Sequence, residues 1–351
     1  MLIGIISSPE RDKIPIILAL EECQVEYVFL DIFDSEWISK FNDTKCDGYL
    51  LFPPAITSLW RDIFYKRITL IKNLLDSKCV PTVDEILYYE SKILMSDFYK
   101  INNIPHVNSV TFFNFRDAWQ YVKNTSLPKV IKSDGGSGGI GVKIIKSKLG
   151  ISINILKSFF WGNFKFKFDF TNINNVKKMF KRILYPLHLF QSTGYMYFPP
   201  KDINKGYIHI QDSVNIKTEW RIVKIGTSYF GHQKLKGSNG MHSGSHKVGW
   251  IQPPFKVLDL VKNISCKLKI TSMAFDIFET ENGEFLVNEM QTIFGAFAPS
   301  QMYIDGIPGR YVFKKGEWNF EEGEFCKFKC NSLRIEHLVR MLNEPLLFEA
   351  K

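Results

Sequence analysis

Short apolar runs alternate with amphipathic stretches over the first ninety residues. Residues 2–7 read LIGIIS and stop at Ser7-Ser8-Pro9, 14–22 place apolar side chains at helical spacing, and 27–31 and 48–52 are again short and apolar. That cadence predicts a β-α-β unit. A second helical pattern covers 63–75, and 80–83 closes a small open α/β unit near residue 90. Residues 85–101 predict a helix carrying Lys92; Ile104-Pro105 breaks it and leads to a short strand. Another helix is expected over 114–123. From residue 207 the period changes to that of strands, in YIHIQDSV, EWRIVKIG and SYFGHQKL. An amphipathic stretch over 254–268 follows. Then come SMAFDIFE and EFLVNEMQ, joined by Glu281-Asn282-Gly283, and Asn-Gly between two apolar runs is a strong hairpin signal. A last helix is expected around 332–342.

The stretch 149–207 departs from this pattern by interleaving aromatic and basic residues. Over 174–189 a helix can be drawn with Val176, Met179, Phe180, Ile183, Leu184 and Leu187 on one face and Lys177, Lys178, Lys181 and Arg182 on the other. Two readings stand open for it: a surface element, within 159–190, that meets an anionic membrane or a bulky acceptor, and an ordinary amphipathic helix packed on its own domain.

With 351 residues, 45% of them hydrophobic, the chain has enough apolar surface for two or three domains with sizeable cores. The net charge of +9 is read as spread over the surface, with a share in a phosphate site; no nucleic-acid module is recognisable. Cys23, Cys46, Cys79, Cys266, Cys326 and Cys330 are scattered, which argues against a disulfide framework, and Cys326/Cys330 alone make a poor zinc pair. No signal peptide and no membrane span is expected, and a reducing cytoplasm is the expected compartment. Oligomeric state is not legible.

Candidate chemistry changes the picture more. Residues 127–146, LPKVIKSDGGSGGIGVKIIK, set Gly135, Gly136, Gly138, Gly139 and Gly141 with Ser133 and Ser137 between two β-branched runs, with Lys132 and Lys143 at the shoulders. Glycines let successive backbone N–H groups converge on one anion, and lysines balance its charge. A P-loop or a dinucleotide fingerprint would run into a helix. Here 142–145 reads extended again, so the expectation is a glycine hairpin lying over phosphates. Asp276, Glu289 and Gln291 fall on the two arms of the later hairpin, Glu289 and Gln291 on one face. Two carboxylates and an amide oxygen suit Mg2+ in a nucleotide site, with Mn2+ as an alternative. Arg221 suits a phosphoryl or acyl phosphate. Lys234, Asn239 and His242 are substrate candidates, and the glycines around His242 and His246 argue against a metal-binding helix.

In this order of parts, K-V-I-K-S-D-G-G-S-G-G-I-G-V, Y-I-H-I-Q-D, E-W-R and F-D-I-F…L-V-N-E-M-Q behind a small α/β domain, the chain resembles the ATP-grasp superfamily of the carboxylate-amine ligase type, over roughly residues 2–309. The resemblance implies an α/β and α+β fold: an N-terminal open α/β domain (1–90) and two subdomains that sandwich ATP (91–206 and 207–351). It implies phosphate contacts from Lys92, Lys132 and the 135–141 loop. Adenine would lie on the backbone of Gln211, Asp212, Ser213 and Val214, magnesium on Asp276, Glu289 and Gln291, and an acyl phosphate on Arg221. It implies ATP-dependent amide-bond formation on a small-molecule, peptide or glycan-linked acceptor. The alternatives are a kinase acting on a hydroxyl and a non-catalytic ATP-binding protein. The family's last metal ligand is usually asparagine, where this chain has Gln291; the proline-glycine that often follows is reduced to Gly295; and the 149–207 stretch is longer than the usual connection.

Overall fold

The computed structural model describes residues 1–9, 11–54, 58–75, 78–87, 89–134, 141–164, 203–237, 247–294 and 300–344. The chain divides into two compact units, one made of 1–53, 63–108 and 214–351, the other of 54–62 and 109–213.

The first unit opens with β1 (Leu2–Ser7), α1 (Ile14–Glu22), β2 (Glu26–Asp31), α2 (Trp37–Asp43), β3 (Gly48–Phe52), the part of α3 (Ser58–Leu70) from residue 63 on, α4 (Lys72–Leu75), β4 (Cys79–Val80), α5 (Val83–Ile86) and α6 (Lys92–Ile101). The strands form a parallel sheet in the order β2-β1-β3-β4, with Ile3 opposite Tyr27 and Gly48. Alternation along β1 and β3 feeds two cores. Ile3, Ile5 and Leu50 pack with Ile16, Ala19 and Leu20 of α1 on one face, and Ile6 and Leu51 pack with Phe64, Ile68 and Leu75 on the other. Buried on both faces, such strands read as continuous apolar runs.

The helix expected over 85–101 is two helices. A capping box between Thr82 and Glu85 starts α5, Glu90 takes a left-handed φ of 57°, and Ser91 caps α6 at the N–H of Leu94. Glu85 then leaves its own helix to work elsewhere: its buried carboxylate accepts hydrogen bonds from the N–H groups of Thr82, Thr271 and Ser272 and from the Thr271 hydroxyl. After α6, the carbonyl of Pro105 accepts from the N–H of Val287 at 2.8 Å, which ties the Ile104-Pro105 break to a strand of the larger sheet described below.

The second unit holds β5 (Ser109–Phe112), α7 (Phe115–Asn124), β6 (Lys129–Lys132), β7 (Val142–Ile145), α8 (Lys148–Leu156), a π turn (Lys157–Trp161), and the short β8 (Asn163–Phe164) and β9 (Ile203–Asn204), then β10 (Ile208–Asp212). Its sheet runs β5-β10-β6-β7, every pair antiparallel, under Ala118, Val122, Ile151 and Ile155 of the two helices. Strands β6 and β7 make the expected hairpin: Lys132 sits opposite Val142, and the Ser133 N–H donates to the Gly141 carbonyl at 3.0 Å. Gly141 has φ +79°, and a Cβ there would fall 2.9 Å from that of Ser133, so the closing position requires glycine. Gly135, Gly136, Ser137, Gly138 and Gly139 lie outside the described residues, as does the helix expected over 174–189.

The chain then returns to the first unit as β11 (Ile216–Ile225), β12 (Ser228–Lys234), β13 (Val248–Gly249), α9 (Phe255–Leu268), β14 (Ser272–Thr280), β15 (Phe285–Gln291), β16 (Tyr303–Ile304), β17 (Ile307–Lys314), β18 (Glu317–Glu322) and α10 (Lys327–Asn343). The sheet runs β15-β14-β11-β12-β17-β16, with β13 on β12 and β18 on β17. The Asn282-Gly283 junction joins β14 to β15 as expected, with Gly283 at φ +79° and its N–H on the Thr280 carbonyl. Trp220, Ile222, Phe230, Val257, Val261, Phe275 and Ile277 fill the core beneath. In α10 the residues Phe328, Lys329 and Cys330 are left-handed, so the right-handed helix begins where the sequence pattern places it. Its Leu338 and Ile335 close the apolar face of the N-terminal sheet.

One expectation fails on composition. The excess positive charge is not spread out: residues 109–213 carry 16 Lys and Arg against 5 Asp and Glu, with no glutamate, and the rest of the chain is close to neutral. Antiparallel hairpins and two capped helices need no acidic partners to fold, so nothing in that unit's architecture demands balance.

Candidate active site

Strand register assembles a charged row. His232 on β12 faces Arg221 on β11, Arg221 faces Asp276 on β14, and Asp276 faces Glu289 on β15. A bulge after Asp276 puts Ile277 opposite Val287, so Asn288 is the extra residue and Glu289 keeps its place in the row. Two positions along, Lys234 faces Glu219 across β12 and β11, on the same side of the sheet because strand side chains repeat every second residue.

The side chains close this row into a network. Arg221 donates through Nε and Nη2 to the two oxygens of Asp276, both at 2.8 Å, in the fork geometry that suits a guanidinium. Lys234 donates to Asp276 Oδ2 at 2.8 Å and to Glu219 Oε1 at 2.5 Å. Asp276 is 3% exposed and Glu219 1%. Burial pushes the Asp276 carboxyl up, but Arg221 and Lys234 together outweigh it and hold the group well below the usual carboxylate range. Burial likewise works against the charge on Arg221 and Lys234, and their carboxylate partners, Asp276 foremost, raise both above their ordinary values. Glu219 moves the other way: burial raises it in spite of Lys234. The network is therefore two firmly held cations around one firmly ionised carboxylate, with a second carboxyl inclined to take a proton.

Beyond Asp276 the row is more open. Glu289 Oε1 accepts from Gln291 Nε2 at 3.1 Å and stands 3.8 Å from Lys92 Nζ. Lys92 is the first residue of α6, put there by the Ser91 cap, and α6 packs beside β15. Lys92, Arg221, Lys234, Asp276, Glu289 and Gln291 are thus gathered by the fold from four strands and a helix terminus. Hard oxygens from Glu289, Gln291 and Asp276 on one face suit Mg2+. Asp276 Oδ2 accepts from both Arg221 and Lys234, whereas Oδ1 accepts from Arg221 Nε alone and keeps a lone pair that can face a metal ion. Among the described residues no three His, Cys, Asp or Glu side chains form a metal site by themselves.

The other candidates belong to the second unit. Lys132 ends β6 at the mouth of the glycine hairpin, opposite His209 and Val142. Gln211 is buried in β10, and the Asp212 carboxylate accepts from Lys129 at 2.5 Å; Ser213 and Val214 follow in the connection to β11. Asn239 and His242 lie outside the described residues.

Two members of the network escaped the sequence pattern, Glu219 and His232. Both sit two residues from a candidate on the same strand, Arg221 and Lys234, and that parity was their only signal. His232 Nδ1 lies 2.8 Å from the Gln301 carbonyl, and burial lowers its pKa to about 4. His337 of α10 is lowered to about 4 as well, by burial and then by Lys224. A histidine whose folded pKa lies below its unfolded value costs stability as pH falls through the gap, because only the unfolded chain takes the proton. Each is expected to remove about 2 kcal/mol between pH 6.5 and 4.5. Denaturant melts across that range should show His337→Gln losing correspondingly less than the parent.

Neither a protein-family model nor a curated protein matches the chain. Solved structures do. D-alanine–D-alanine ligase from Bacillus anthracis superposes with a TM-score of 0.52 at 12% identity, covering 99% of this chain and 100% of that one. The biotin carboxylase domain of Hydrogenobacter thermophilus 2-oxoglutarate carboxylase, solved with MgADP and bicarbonate, gives 0.55 at 11% identity over 85% of this chain and 65% of that one. The N5-carboxyaminoimidazole synthase of Aspergillus clavatus, solved with ADP and its aminoimidazole ribonucleotide, gives 0.52 at 9% over 89% and 81%. These likenesses give the chain the ATP-grasp fold.

Proposed function

We propose that this chain of ATP-grasp fold is an ATP-dependent carboxylate-amine ligase, forming an amide bond through an acyl phosphate. The observation that carries the reading is the row Arg221–Asp276–Glu289–Lys92, in which two adjacent carboxylates from neighbouring strands are flanked by a cation at each end, one from the sheet and one from the start of α6. A structural ion pair needs no such extension. A site that must hold phosphate and a divalent cation together does.

In this reading a substrate carboxylate attacks the γ-phosphate of ATP, ADP leaves, and an amine displaces phosphate from the acyl phosphate. No enzyme nucleophile takes part, so the chain contributes position and charge. Lys92 and Lys132 pair with phosphate oxygens, and the 135–141 loop contributes backbone N–H groups. Arg221, held in plane by Asp276, presents its remaining guanidinium edge to the acyl phosphate, while Lys234 compensates the same developing charge. Glu289 and Gln291, with Asp276, would hold Mg2+, which neutralises charge on the transferring phosphoryl group. Adenine lies on the 211–214 backbone. The ligase structures named above act on small molecules, and an acceptor larger than a free amino acid, a peptide or a glycan-linked sugar acid, fits the long 149–207 stretch. Six free thiols support a reducing compartment, the cytoplasm, and no described helix is long and apolar enough to cross a membrane.

The test is stoichiometry. With Mg-ATP and pools of amino acids, dipeptides and uronic acids, a ligase releases ADP and inorganic phosphate in equal amounts, and only when carboxylate and amine are both present. ADP without free phosphate would make the protein a kinase, and no release with any pool would leave nucleotide binding alone.

A further inference from the structure

The unit formed by 54–62 and 109–213 carries the whole positive excess of the chain, and its helices leave an apolar face outside. On α8 the β-branched inner positions Ile151 and Ile155 go to the sheet, while Leu149 and Ile153, one turn apart, are 72% and 55% exposed. The π turn that follows brings up Phe160 and Trp161, 57% and 68% exposed, and ends at Gly162 with φ 82°. Phe160 meets Phe115 edge-on at 5.7 Å, and Phe115 stacks on Trp119 of α7 at 5.7 Å, so the rings form one continuous cluster rather than scattered exposures. Exposed basic residues, Arg116, Lys123, Lys148 and Lys157, lie on the same two helices and turn, against a single exposed acid, Asp117.

We propose that this face of α7, α8 and the π turn docks on an anionic phospholipid bilayer. Indole and phenyl rings prefer the headgroup boundary, lysines and arginines stand above it against anionic headgroups, and aliphatic side chains such as Leu149 and Ile153 gain from entering the acyl region. A polynucleotide rewards the charge and the rings but not the exposed aliphatic pair, which decides between the two polyanions. The docking goes beyond the ligase reading and does not depend on it.

The experiment is vesicle co-sedimentation of the intact protein. Vesicles of phosphatidylcholine alone are compared with vesicles containing 30% phosphatidylglycerol, at low salt and at about 0.5 M salt, where exposed charges more than ~4 Å apart are largely screened. Variants are Phe160→Ser/Trp161→Ser and Lys148→Glu/Lys157→Glu, both on the surface and outside the proposed active site, with thermal melts confirming the fold. Binding to anionic vesicles only, weakened about tenfold or more by high salt and by each double substitution, is expected. A folded parent that fails to sediment with anionic vesicles at low salt overturns the proposal. So does binding that survives Phe160→Ser/Trp161→Ser unchanged while a single-stranded RNA competes it away, because the partner is then any polyanion.

Discussion

Replacing Glu289 by glutamine is expected to lower ATP turnover by about 10³-fold while leaving the melting temperature within a few degrees of the parent. Glu289 sits at the open end of the charged row, 3.8 Å from Lys92 and hydrogen-bonded to Gln291, so glutamine keeps its shape and its neighbour. What it loses is the negative charge that would anchor the cation and orient Lys92. Removing one preorganised charge from a phosphoryl-transfer site typically costs roughly 3–4 kcal/mol of transition-state stabilisation. Lys92→Met is expected to fall in the same direction by about 10²-fold, and the double variant by far less than the product, because the two act on one group of oxygens. Steady-state ADP release by all three, at saturating Mg-ATP, checks this; full turnover in Glu289→Gln would remove the residue from the site.

Asp276→Asn is expected to have the largest effect on stability. It leaves Arg221 and Lys234 buried without the carboxylate that both of them share, and breaking a buried pair by removing one partner costs about 3–5 kcal/mol. Turnover should vanish too, but through loss of the fold's local order as much as through loss of a ligand. Two measurements separate these. Chemical denaturation gives the stability change, and adding Arg221→Met to Asp276→Asn should recover part of it, since one uncompensated cation is then gone. Recovery of stability without recovery of turnover is the expected pattern. Equal stability of Asp276→Asn and the parent would mean that the row is solvated and carries no structural charge.

The parts of the fold that depend on local chemistry were legible in the sequence. Asn282-Gly283 fixed one hairpin, the glycine-rich run another, and the alternation of Ile3 and Ile5 with Ile6 marked a strand buried on both faces. The break between α5 and α6 was not, because a capping box inside an apolar run looks like more helix until Glu85 is seen to reach Thr271 and Ser272, nearly two hundred residues away in the chain. The same limit applies at the site. Arg221, Lys234, Asp276 and Glu289 could be picked out one by one, as charges stranded on apolar strands. Their joining into one row needed the register of four strands, and Glu219 and His232 became visible only through that register. The pairing of Asp276 with Arg221 and Lys234 also gave it a second role, beside that proposed for it as a metal ligand, as the shared counter-ion of two buried cations. Charge segregation was a different kind of miss: it is present in the sequence, but a whole-chain average hides a basic unit beside a nearly neutral remainder.

The most direct measurement is anomalous diffraction from crystals grown with ADP and Mn2+ in place of Mg2+. A manganese peak within coordination distance of Glu289 and Gln291 oxygens, with Lys92 moved onto a phosphate, is the predicted result. A nucleotide bound elsewhere, with Glu289 still beside Lys92 and no metal on the row, would contradict it.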